Sequence, residues 1–130
     1  GLQSGSRIGY FTWEYDQTVK AEGEAGSTKF KSTVNDKMQI RIQKIYFDHI
    51  ANINSITLKM WVSNPNSYGI KVNNTVVAAN SSGYVEFPIT DKSTAGHGYG
   101  PRLLITITKD NGAALEVGTV VYLGAIVIKP

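Results

Sequence analysis

Apolar side chains in this chain recur with a period of two, and no stretch carries the i, i+3, i+4 stripe of an amphipathic helix. At 55–62 (SITLKMWV), Ile56, Leu58, Met60 and Val62 alternate with Thr57, Lys59 and Trp61, the pattern of a half-buried strand. Met38, Ile40 and Ile42 alternate with Gln39, Arg41 and Gln43, after which Ile45 and Phe47 carry the pattern in shifted phase. Such a shift predicts a bulge near Gln43 and Lys44. Leu103, Ile105 and Ile107 alternate with Thr106 and Thr108, and residues 120–128 are nearly continuous in apolar side chains, as in a central strand.

Turn chemistry agrees. Asn73-Asn74 separates two short β-like runs and predicts a two-residue hairpin turn, because asparagine tolerates positive φ. Asn80-Ser81-Ser82-Gly83 and Asp110-Asn111-Gly112 are expected to punctuate the next junctions. Asn73-Asn74-Thr75 and Asn80-Ser81-Ser82 also fit the glycosylation acceptor pattern, but are read here as turns. The spacing points to eight or nine strands in an all-β, antiparallel sandwich or barrel, read here as a single β-sandwich over residues 7–130 whose jelly-roll-like character rests on the resemblance given below, with residues 1–6 as a linker or expression remnant. No internal repeat and no domain-splitting linker is visible. Two stretches fit no strand and read as long loops, 17–28 and 91–101, the second carrying Gly96, Gly98 and Gly100 ahead of Pro101. Residues 22–31 are polar enough for a surface loop or one helical turn.

Composition narrows the function classes. A chain of 130 residues supports one full core, and 42% hydrophobic against 18% charged residues is too rich in core-formers for disorder. The net charge of +3 is spread along the chain, so a nucleic-acid partner is not expected. No apolar run approaches the ~20 residues of a membrane-spanning helix, and no signal peptide is apparent, so membrane insertion is not expected. Without cysteine, disulfides, thiolate metal sites and cysteine nucleophiles are all excluded.

Catalytic chemistry is sparsely supplied. The two histidines, His49 and His97, lack metal-ligand spacing, and no nucleophile elbow, Walker loop or dinucleotide fingerprint occurs. Glu14 with Asp16, Glu22 with Glu24, and Glu86 are the carboxylates that a glycan-cleaving enzyme would need to pair, but they read as solvated surface charges. No enzyme activity is expected. Loop oxygens are the ligands that calcium takes, but no loop holds a dense acidic cluster, so no cofactor is expected and calcium remains a minor alternative.

The aromatics are more informative. Phe11, Trp13 and Tyr15 share one face of an N-terminal strand, which is either core or platform. Trp61 lies on the polar face of its strand with Thr57 and Lys59, which predicts a partly exposed ring, covered either by a ligand or by a loop or protomer. Tyr84 and Glu86 point away from Val85 and Phe87 and are candidates for the same sheet face. His97, Tyr99 and Arg102, in or beside the Gly-rich loop, offer a titratable donor, a ring and a fixed cation, suited to a polyhydroxylated or anionic ligand. Sugar rings stack their C–H faces on Trp and Tyr while their hydroxyls seek flanking polar groups, and this combination points to carbohydrate.

At 55–66 (SITLKMWVSNPN) and 117–128 (VGTVVYLGAIVI) the chain resembles the non-catalytic carbohydrate-binding modules built on a jelly-roll sandwich. In these, a strand of the type hydrophobic, Trp or Phe, Val precedes an Asn-rich loop, and a Gly-x-x-Tyr-hydrophobic strand closes the domain. Similar modules form the receptor-binding ends of phage tail proteins, which this chain resembles in its Ser, Thr, Asn and Gly-rich strands and its lack of cysteine. Many carry an Asp after the closing Tyr-hydrophobic pair that helps hold calcium; here Gly124 and Ala125 follow instead, so no ligand residue is carried over. The resemblance implies an extracellular or virion-associated domain that binds a polysaccharide or cell-surface glycan. Strand faces and loop composition, rather than the resemblance, give the expected ligand contacts: Trp61, Trp13, Tyr99, His97, Arg102, Lys59, Tyr84 and Glu86. The alternative is a structural subunit of a phage virion or other assembly, a homo-oligomer or part of a larger polypeptide, that buries the same aromatics between protomers.

Overall fold

A computed structural model of the protein describes residues 15–23, 28–42, 56–89 and 103–129. The bulge expected near Gln43 and Lys44, Phe11 and Trp13 of the aromatic face, the 91–101 loop with His97 and Tyr99, and Arg102 lie outside the described residues. The strands are β1 (Tyr15–Val19), β2 (Ala21–Glu22), β3 (Lys29–Ser32), β4 (Met38–Ile42), β5 (Ile56–Asn64), β6 (Ile70–Val72), β7 (Thr75–Val77), β8 (Ser81–Ile89), β9 (Leu103–Lys109) and β10 (Val120–Lys129). Among the described residues there is no helix, and so none long and apolar enough to cross a membrane.

Two antiparallel five-stranded sheets form, in the orders β1-β4-β9-β6-β7 and β2-β3-β10-β5-β8. Pairing is nested: β3 with β10, β4 with β9, β5 with β8, and β6 with β7. From β3 onward every connection passes from one sheet to the other except the β6–β7 turn, which is the path of a jelly roll. The expected all-β sandwich is what forms. Its alternating residues close a shared core: Leu58, Met60 and Val62 of β5 and Val121 and Leu123 of β10 face Met38 and Ile40 of β4 and Ile105 and Ile107 of β9, all buried. β10 lies in the middle of its sheet, as its continuous apolar run predicts.

The strands number ten rather than eight or nine, and the difference falls in stretches read above as loops. Residues 17–19 belong to β1 and residues 21–22 to β2, with only Lys20 between them. Lys20 takes φ 57°, which carries the chain from one sheet to the other in a single residue. Its ammonium also donates to Asp36; this bond, with the Lys37 N–H donated to the same carboxylate, holds the Asp36 carboxyl below its usual value. Residues 29–32 form neither surface loop nor helical turn but β3, where Phe30 and Ser32 are buried while Lys29 and Lys31 face out. One apolar side chain among polar neighbours gives too short a pattern for a local reading, and the inward place of Ser32 is visible only through its bonds. Its hydroxyl donates to Glu116 O (2.7 Å) and accepts from Thr119 N–H (3.0 Å). Ser81, Ser82 and Gly83 are not a turn either. They open β8, paired with Asn64, Ser63 and Val62, and the turn ends at Asn80 with φ 51°.

Candidate functional site

The strand between Ser55 and Ser63 must present one polar face if its apolar face is to fill the core, and β5 does so. Registry with its neighbours then assembles the site. Lys59 lies opposite Glu86, Trp61 opposite Tyr84, and Ser63 opposite Ser82 on the edge strand β8. Across the other ladder, Ser63 lies opposite Tyr122 of β10, which in turn pairs with Lys29 of β3. The outer face of this sheet is thus a short grid: a row of Tyr122 and two serines, a row of Trp61 and Tyr84, and a row of Lys59 and Glu86.

The rings are half exposed, with Trp61 at 39%, Tyr84 at 45% and Tyr122 at 39% of their full accessible surface. Trp61 and Tyr84 meet edge to face, their centroids 4.8 Å apart at 75°. Such a pair contributes on the order of 1 kcal/mol beyond its area, enough to hold both rings in place without hiding them. The Lys59 ammonium lies 4.7 Å from the centroid of the Tyr84 ring, a cation–π contact that fixes a positive charge beside the indole. Ser82 Oγ donates to Ser63 Oγ at 2.8 Å, so the hydroxyl row is oriented before any ligand arrives.

The indole owes its position to a bulge. Between Leu123 and Ile126, β10 advances three residues while β5 advances two, from Val62 to Met60. Gly124 sits in that bulge, where a Cβ would lie 3.2 Å from Trp61 O and 3.4 Å from Trp61 Cβ and Cδ1. Any side chain there would press on Trp61, and glycine leaves the indole that space.

Of the residues expected from sequence, the structure gathers Lys59, Trp61, Tyr84 and Glu86 on one face. Trp13, His97, Tyr99 and Arg102 lie outside the described residues. Tyr122, Ser63, Ser82 and Gly124 were missed. Tyr122 was legible, since it alternates with the buried Val121 and Leu123, but the apolar run around it conceals the phase. Among the described residues no group of three or more His, Asp or Glu side chains is placed to hold a metal ion.

The Asn-rich segment after β5 is a structural clamp. Asn64 is buried and its Nδ2 donates to Tyr68 O (2.9 Å), Val77 O (3.1 Å) and Ala78 O (3.0 Å), while its Oδ1 accepts from Asn66 N–H (3.0 Å) and Asn66 Nδ2 (2.7 Å). Asn66 in turn brackets Val120, donating to its carbonyl (2.6 Å) and accepting its N–H (3.2 Å). These amides are occupied by backbone and by each other, so the loop holds the end of β5 to β10 and β7. Compared with family models, curated proteins and solved structures, the chain gives no significant match in any of the three.

Proposed function

We propose that the outer face of the β2-β3-β10-β5-β8 sheet binds a polysaccharide or cell-surface glycan without cleaving it, in an extracellular or virion-associated setting. The observation that carries this reading is the Trp61–Tyr84 pair, held half exposed with the Lys59 ammonium and an oriented serine pair beside it. A pyranose lays its C–H face on an aromatic ring and needs donors and acceptors at its rim, and this face supplies both within one strand spacing. The reading needs no metal and no cofactor.

The test is a glycan and cell-wall polysaccharide array, with intrinsic tryptophan fluorescence as a second signal and light scattering on the same sample. Binding by a monomer, with a fluorescence change lost in Trp61→Ala and binding weakened at least tenfold in Trp61→Ala and Tyr84→Ala, is the expected result. Glycan binding that survives both substitutions would move recognition off this face. A rival reading, a structural subunit joined to its neighbours through the same rings, draws on β8: it is a nine-residue edge strand directly beside them. A discrete oligomer dissociated by Trp61→Ala, silent on the array, would establish that rival.

A further inference from the structure

We infer that this face takes an internal stretch of a glycan chain laid obliquely across β10, β5 and β8, with Tyr122 as a second ring subsite; the inference rests on the carbohydrate-binding reading above. Tyr122 is as exposed as Trp61 and stands diagonally from it, one strand over and two residues along. Diagonal neighbours on a sheet face are about 7–8 Å apart, so one sugar ring on the indole leaves Tyr122 to the next ring of a chain rather than to the same one. Between them runs a polar link, because Ser63 lies directly opposite Tyr122 and accepts the Ser82 hydroxyl. Gly124, in the bulge opposite Trp61, adds no side chain of its own beside the indole.

Area argues for a chain-like ligand over a second copy of the protein. Three rings with 39–45% of their surface exposed present on the order of 250 Å² of aromatic area. A stable protein dimer buries about 800 Å² on each partner. Beside the rings stand Lys29, Lys59, Glu86 and the serines, polar groups that suit the hydroxyls of a sugar chain.

The experiment titrates the full chain with soluble β-glucan, xylan, mannan and polygalacturonate, then with the mono- to hexasaccharides of whichever polymer binds. Affinity is expected to climb from the monosaccharide and level off by the tetrasaccharide. Tyr122→Ala should weaken the tetrasaccharide roughly three- to tenfold and leave the monosaccharide unchanged, with Tyr122→Phe restoring the tetrasaccharide. An unshifted urea midpoint confirms that both variants are folded. Equal affinity along the series, or no effect of Tyr122→Ala where Trp61→Ala abolishes binding, would overturn the second subsite and leave the carbohydrate reading standing. No binding to any of the polymers, or a dimer that Trp61→Ala breaks, would overturn both.

Discussion

Asn64 and Trp61 sit three residues apart on one strand and show what a single side chain does here. Asn64 faces inward, and its amide binds a carbonyl of the β5–β6 connection (Tyr68) and two at the end of β7 (Val77 and Ala78). Replacing it with alanine removes the partner of the buried Val77 carbonyl and of the part-buried Tyr68 carbonyl and Asn66 N–H, at about 1–3 kcal/mol for each group that water does not reach. Asn64→Ala is therefore expected to lose about 2–4 kcal/mol of stability, read as a lowered urea midpoint with the slope unchanged. Trp61 faces outward, and its exposure follows from phase alone, because Met60 and Val62 on either side are buried. That half of the contrast is legible in the sequence. The role of Asn64 is not, since a polar residue at an inward position looks like the end of a strand until its distant backbone partners are known.

Among the elements, the β6–β7 hairpin shows a turn doing more than reversing the chain. Asn73 takes φ 51°, its N–H donates to Thr106 O (2.9 Å), and its Oδ1 accepts the Thr106 N–H (2.8 Å). The β6–β9 ladder thereby continues past Val72 through a side chain. Alanine at 73 loses both the tolerance of positive φ and this bond, and is expected to cost about 2 kcal/mol. Asn73→Gly keeps the backbone conformation and loses only the side-chain bonds, this one and the longer one from Nδ2 to Leu104 O (3.4 Å), so the urea midpoints should fall in the order wild type, Asn73→Gly, Asn73→Ala. An alanine variant as stable as the glycine one would show that φ is not what asparagine supplies. The turn itself was legible because Asn-Asn between two apolar runs is local chemistry. β2 and β3 were not, because an edge strand of two residues and a strand of four with one aromatic carry too little period to read. β3 forms on the edge that β10 offers, where Val120, Val121 and Tyr122 pair with Lys31, Phe30 and Lys29, and β2 then adds to β3 through Ala21 with Ser32 and Glu22 with Lys31.

The molecule as a whole is ordered by nesting. The innermost pair, β6 with β7, is the only hairpin from β3 onward among the described residues, and each outer pair joins strands progressively further apart in the chain. Loop-closure entropy must be overcome before β3 can meet β10, so refolding is expected on the millisecond-to-second scale typical of such sandwiches. Stopped-flow refolding followed by tryptophan fluorescence measures this, and a rate complete within microseconds would contradict it.

What the sequence determines by itself is orientation: successive side chains on a strand point to opposite sides, so each alternating run specifies its inner and outer residues, and the sum of those runs demands an antiparallel all-β sandwich or barrel. Which outer residues become neighbours is a different quantity. Trp61 meets Tyr84, Ser63 meets Tyr122, and Gly124 falls beneath the indole only because the strands pair in this order and with this bulge. Order and register are set by how the whole core packs, a property of distant pairs that no local period carries, and so the tertiary structure alone turned separate half-exposed side chains into one face.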